Sequence, residues 1–295
     1  MVAGHGVRPG PRRVEAYLLE KLQGLFPPAG ADHEAEAVHR MRVNSRRLRV
    51  GLRFFSAPFD PRELKLAQRQ LRRITRELGE IRALDINLQL LRRAASHWPP
   101  ATEPTQALLE QALLVERRVR LADLRKLGQT LNRDHFEQHL RRLITRSQPP
   151  DPAGLRKDCT GQLRELRRAL RRRARQFRRR GTSRSFHKFR IAVKHYRYGL
   201  EASRAVLDVR VDDRIRTVES LQDLMGDCHD VEVLVRHLRG VGERLGATDK
   251  VLADHVRLMV RHFQREHDKR FARFERFLEE ERSWSKKVRW RVPHE

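Results

Sequence analysis

Apolar residues return along most of this 295-residue chain at helical spacing, while runs that alternate apolar and polar residues between turn signals are hard to find. The pattern predicts an all-α protein. Proline and glycine clusters at Pro27 to Gly30, Pro58 to Pro61, Trp98 to Pro100, Pro149 to Gly154, Gly181 and Gly240 to Gly246 divide the chain into long helices. Leu163, Leu166, Leu170, Ala174 and Phe177 fall on one face of a predicted helix whose other faces carry ten arginines between Arg164 and Arg180.

The apolar pattern also repeats on a larger scale. Val38 to Leu52 recurs as Phe186 to Leu200, 148 positions later, with His, two Arg, Gly and Leu identical. A second signature, Leu78-Gly79-Glu80-Ile81-Arg82-Ala83-Leu84-Asp85, matches Met225-Gly226-Asp227-Cys228-His229-Asp230-Val231-Glu232 at an offset of 147. Two ordered signatures in each half predict an internal duplication of a unit of about four long helices, joined near Pro149. The expected layout is a disordered basic N-terminus at 1–10, one half at 11–148, a second at 149–285 and a tail at 286–295.

On a helix, Phe186, Phe189, Val193, Tyr196 and Leu200 form one core-facing stripe, as do Val38, Met41, Leu48, Leu52 and Phe55. His187, Arg190, Lys194 and Arg197 follow the same spacing one position on, and His39, Arg42, Arg46, Arg49 and Arg53 do so in the first copy. Each set is predicted to make a cationic rail about 20 Å long at the edge of the buried face. A core requires the apolar stripe; it does not require a histidine and arginines at matched offsets twice. A rail of this kind suits an extended ligand with regularly spaced negative charge, and guanidinium adds bidentate geometry toward phosphate oxygens.

Charge strengthens that reading. The formal net charge is +27, and both halves are basic, so the excess is not an appended tail. Such a protein repels itself unless a polyanion neutralises it. Two cysteines without Cys-x-x-Cys spacing, and no apolar run near the ~18 residues of a membrane span, predict a soluble protein of a reducing cytoplasmic compartment. Neither a P-loop nor a Gly-rich dinucleotide fingerprint nor His-Glu-x-x-His is present, and His135/His139 has no third ligand at a recognisable spacing, so neither metal, cofactor nor catalysis is expected. Asp85 and Glu232 fall at matched positions on the apolar stripe of the following helix and are predicted to pair with a cation of the neighbouring rail.

The blocks His39-x-x-Arg42-x-x-x-Arg46-Arg47-Leu48-Arg49 and His187-x-x-Arg190-x-x-x-Lys194-His195-Tyr196-Arg197-Tyr198 closely resemble the signature of the CHAD family, the conserved histidine α-helical domain, and the 78–85 and 221–230 runs resemble its second motif. The resemblance spans about residues 11 to 282. It implies two four-helix bundles related by pseudo-twofold symmetry, with basic helices facing a central groove that binds inorganic polyphosphate, and localisation to polyphosphate granules. The binding pattern carries over to His39, Arg42, Arg46 and Arg49 and to His187, Arg190, Lys194 and Arg197, and Arg47 and Arg53 of the same helix are expected to bind with them. Arg72, Arg76, Arg118, Arg168, Arg171, Arg261 and Arg265 are candidates for a supporting role. The chain departs from the family pattern at Ala83, where an acid is usual, and at His195, where a second Lys or Arg is usual. The alternative expectation is a sequence-independent nucleic-acid binder, disfavoured by an aromatic content of 6% with no stacking series on the basic stripes.

Overall fold

The computed structural model describes residues 10–27, 34–145, 151–207, 211–246 and 248–287, the segment 281–287 by backbone alone. Most of the expected N-terminal arm, the predicted join at Pro149 and most of the tail lie outside these residues. Among the described residues the chain is all-α, without strands. Its helices are α1 (Pro11–Gln23), α2 (Ala35–Phe54), α3 (Pro61–Ala94), α4 (Glu103–Thr130), α5 (Arg133–Thr145), α6 (Pro152–Arg180), α7 (Ser183–Ser203), α8 (Asp212–Leu245) and α9 (Lys250–Lys287).

The repeat places α2 against α7 and α3 against α8 in sequence register. The first half carries one helix more than the second, because α5 buries its own stripe of Phe136, Leu140, Leu143 and Ile144. Gly240 and Gly242 do not break the chain as their composition predicts: α8 runs through both to Leu245. A mid-helix glycine costs about 1 kcal/mol, which the packing of Leu234 and Leu238 on the same helix can absorb.

Two compact units form, and they cut across the sequence halves. The first contains α1, α2, α5, α6, α7 and the opening segments of α3 (61–78) and α8 (212–222). The second contains residues 79–94 of α3, 103–125 of α4, 223–245 of α8 and α9. Its core joins Leu84, Leu88, Leu91 and Trp98 to Leu113, Val231, Leu234, Leu238, Met259 and Phe263. The join expected near residue 148 lies outside the described residues, and each compact unit draws on segments from both sides of it. Helices as long as α3 and α8, 34 residues each, carry apolar stripes longer than one core can cover and serve two.

The helices that carry the rails belong to the first unit. Asp151 caps α6, accepting from the Ala153 and Gly154 amides at 3.3 and 2.8 Å, and Pro152 follows at the first helical turn. Gly181 ends α6 in the left-handed conformation (φ 59°), and the Thr182 hydroxyl caps α7 by accepting from the Ser185 amide at 3.2 Å. This stop and start two residues apart folds α7 onto α6, where Phe177 stacks on Phe189 with ring centroids 6.0 Å apart. On its other side α7 packs against α2, and α2 packs against α1.

Candidate polyanion site

The buried stripes fall where the periodicity places them. Phe186, Phe189, Val193, Tyr196 and Leu200 on α7, and Val38, Met41, Leu48, Leu52 and Phe55 in and beside α2, are all buried. The repeated glycines have a packing reason. A Cβ at Gly51 would lie 2.7 Å from Leu18 Cδ2 of α1, and one at Gly199 would lie 2.5 Å from Leu166 Cδ1 of α6. In each copy a leucine of the preceding helix covers the glycine, so a side chain there would have to displace it.

The rails themselves are less uniform than the sequence implies. His39, Arg42, Arg46, Arg49 and Lys194 are half-buried, Arg53 and His187 are exposed, and Arg190 is buried. One rail member, Arg197, and Arg47 of the same motif are paired with carboxylates. Arg47 donates from Nε to Glu201 Oε2 at 2.7 Å and from Nη2 to Oε1 at 3.2 Å, and Arg197 donates to the same carboxylate at 2.9 Å and to Glu219. Burial alone would pull the Arg47 guanidinium down, and the hydrogen bonds and charge of Glu201 reverse this, holding it above its ordinary value. Arg47 and Arg197 thus complete a structural ion-pair network between α2, α7 and α8. With Arg13, Tyr17 and Lys21, part of this network lines a cavity of ≈ 520 Å³ in which acids and bases alternate.

Part of the remaining positive charge of α2, beyond Arg40 at 3.8 Å from Glu36, has no carboxylate partner among the described residues. Arg46, Arg49 and Arg53 make no ion pair with a carboxylate among the described residues, and Arg49 Nε is buried without a hydrogen-bond partner. Burial, then the charges of Arg72 on α3 and Arg46, lower the Arg49 pKa. Gln68 of α3 reaches the Arg49 carbonyl at 2.9 Å and ties the two helices together at this point. His195 of α7 joins the group: loss of solvation, then the charges of Arg53, Arg49 and Arg46, push its ring below the ordinary histidine value. Like charges converge here because helix packing brings α2, α3 and α7 together, and nothing acidic among the described residues answers them.

A second basic cluster surrounds Tyr196. Burial, then Arg171, lowers the Arg167 pKa, with Arg214 and Arg164 adding to the effect. Arg164, Arg167 and Arg171 stand one helical turn apart on α6, and Arg214 comes from the first turns of α8. The sequence assigned Arg168 and Arg171 to a supporting role. Arg168 is exposed, and Arg167 takes the inward place. The i, i+3, i+7 spacing of 164, 167 and 171 was the signal for this set; Arg214 had none, because only tertiary packing brings it near.

Other expectations are corrected. The partner of Asp85 is Arg117 of α4, whose Nε donates to Oδ1 at 2.6 Å within the second unit, and not a cation of α2. Glu232 is not on a buried stripe: its side chain is 28% exposed, beside Arg236 at 3.2 Å and His229 at 3.8 Å. The buried line on α8 runs through Cys228, Val231, Val235 and Leu238 and leaves Glu232 one position off it. Of the supporting arginines, Arg72 stands beside Arg49, Arg76 lies against Glu77 at 3.3 Å, and Arg118, Arg261 and Arg265 are exposed on α4 and α9 of the second unit. Burial pushes the thiols of Cys159 and Cys228 up to about 12 and about 11, so both stay protonated near neutrality. Among the described residues no group of three or more His, Cys, Asp or Glu is placed to hold a metal ion, and no helix is long and apolar enough to cross a membrane.

Residues 16–239 match the family model described as the CHAD domain. Solved structures share the fold across nearly the whole chain. The CHAD domain from the plant Ricinus communis superposes with a TM-score of 0.67 at 20% identity, covering 93% of this chain and 96% of its own. PptA from Streptomyces chartreusis gives a TM-score of 0.67 at 14% identity, covering 92% and 100%. No curated protein sequence matches the chain.

Proposed function

We propose, for a chain that belongs to the CHAD domain family, that its task is non-catalytic binding of inorganic polyphosphate through the arginines of α2 and the basic positions of α7, and through that binding association with polyphosphate granules. The observation that carries the reading is the convergence of Arg46, Arg49, Arg53 and Arg72 with no carboxylate among them. Four cations held together at a cost are a surface completed by an external anion. Guanidiniums on successive helical turns match a flexible chain with a charge on every unit, whereas a compact anion would reach only one or two of them.

The aromatic residues of the rails argue against single-stranded nucleic acid as the principal ligand. Phe186, Phe189, Tyr196 and Tyr198 on α7, with Phe54 and Phe55 at the end of α2, are buried and unavailable for stacking on bases. The buried, protonated thiols offer no nucleophile.

The test is a binding titration with long-chain polyphosphate, tripolyphosphate and duplex DNA at physiological salt. Long chains are expected to bind most tightly, and affinity should fall steeply as salt rises, because condensed counterions are released. Arg46→Ala with Arg49→Ala should weaken binding at least about tenfold, the worth of one or two charge-assisted contacts. Equal affinity for tripolyphosphate and long chains would refute an extended site; tighter binding of DNA would establish the nucleic-acid reading instead. Phosphate release on incubation with a divalent cation would overturn the non-catalytic assignment.

A further inference from the structure

The repeat makes a specific comparison available at the contact of α2 with α7. Position 195 is the counterpart of position 47, and position 201 is the counterpart of position 53. In one direction the contact is a bidentate ion pair, Arg47 to Glu201. In the counterpart the carboxylate is replaced by Arg53 and the guanidinium by His195, and Arg53 is the charge that acts most strongly on that imidazole. One end of the interface is therefore neutralised from within. The other holds an exposed histidine against three arginines.

We infer that His195 is a proton-coupled contact of the anion site, which gains a proton when a phosphate chain occupies Arg46, Arg49 and Arg53. This deepens the polyphosphate reading and rests on it. The charged and titratable groups around the ring account for the behaviour. From α2 it faces Arg53, Arg49 and Arg46, and Arg72 of α3 stands behind Arg49. On α7 itself Lys194 is adjacent in sequence, Lys188 lies about two turns before, and Tyr198 follows within one turn. The α6 arginines 164, 167 and 171 act around Tyr196, on the side of α7 packed against α6. Among the described residues no acidic group counts among the causes of the shift at the ring. A chain of phosphates on the α2 arginines reverses the sign of the local field, favours the imidazolium, and turns an acceptor nitrogen into a second donor toward phosphate oxygen.

The direction follows from linkage. Free His195 titrates below the ordinary histidine value of about 6.5, and bound His195 titrates above its free value. Binding near pH 6 to 7 then takes up a proton, and affinity rises as pH falls through the bound value, levelling off below the free one. Each unit of separation strengthens binding by up to about tenfold.

The experiment is isothermal calorimetry of the full chain with long-chain polyphosphate between pH 5.5 and 8, in buffers of different ionisation enthalpy, on the unaltered protein, His195→Gln and His195→Lys. His39 and His187 share these helices and are unchanged in all three proteins, so the differences isolate position 195. The unaltered protein should take up more protons near pH 6.5 than either variant. His195→Gln should lose part of the tightening at acid pH, and His195→Lys should bind at pH 8 about as tightly as the unaltered protein does in acid. If His195→Gln shows the same proton uptake and pH profile as the unaltered protein, this inference fails while the polyphosphate reading stands. If the unaltered protein binds no polyphosphate even at pH 5.5, both fail together.

Discussion

At the scale of single residues, arginines that look alike in sequence divide into two classes. Arg47 and Arg197 share Glu201 and are part of what holds α2 to α7, whereas Arg46, Arg49 and Arg53, on the same helix as Arg47, have no acidic partner among the described residues. Substitution therefore has opposite consequences within one short segment. Glu201→Gln, at a carboxylate whose side chain is only 10% exposed, leaves two guanidiniums facing each other and should lower stability by about 2 kcal/mol, a fully buried pair costing about 3 to 5 and partial exposure screening some of it. Arg53→Ala should leave the denaturant midpoint unchanged or raise it, because it removes a like charge from a crowded group. Urea unfolding of both variants checks this. Sequence spacing marked Arg46, Arg49, Arg53 and Arg197 as cations at the core edge; it could not assign to Arg47 a carboxylate 154 residues away.

At the scale of helices, the glycines of the two repeated signatures have different causes. Gly51 and Gly199 admit a neighbouring helix; Gly199→Ala would have to displace the terminal methyl of the half-buried Leu166, 2.5 Å away, and should cost about 1 kcal/mol, the low end of overpacking. Gly79 and Gly226 have nothing within 4 Å of a Cβ. Gly79→Ala, in the middle of α3, should instead stabilise by about 0.5 to 1 kcal/mol through the helix-forming preference of alanine. A paired thermal-melt comparison with opposite signs is the expected result. The apolar stripes of α2 and α7 were legible because burial acts on every third or fourth residue. Glu232 was misplaced because a carboxylate one position from a stripe and one on it look the same until the crossing helix shows where its centre line lies.

At the scale of the whole molecule, histidines that lose solvation on folding set how the protein responds to pH. Loss of solvation lowers the pKa of His195, His237 and His262, aided at His195 by Arg53 and at His262 by His97; for His237 the nearby Glu116 works the other way without overcoming it. A histidine whose folded value lies below its unfolded value binds fewer protons when folded, so stability is complete above the unfolded value of about 6.5 and is lost as pH falls toward the folded values. Without polyanion, the melting temperature should fall between pH 7 and 5; long-chain polyphosphate should offset the loss by binding the native state and supplying negative charge at His195. Calorimetric melts with and without polyphosphate read this directly. The sequence by itself determined the all-α class, the duplicated signatures, the buried faces of α2 and α7 and the excess of cations, because hydrophobic periodicity and composition are local properties that folding must respect. Only the tertiary structure decided that each compact unit draws on both halves, that Asp85 belongs to Arg117, that Glu201 pairs with both Arg47 and Arg197, and that His195 lies near three arginines. Each of these depends on which helices cross and at what depth, and electrostatic partnership is fixed by distance in space, which no spacing along the chain encodes.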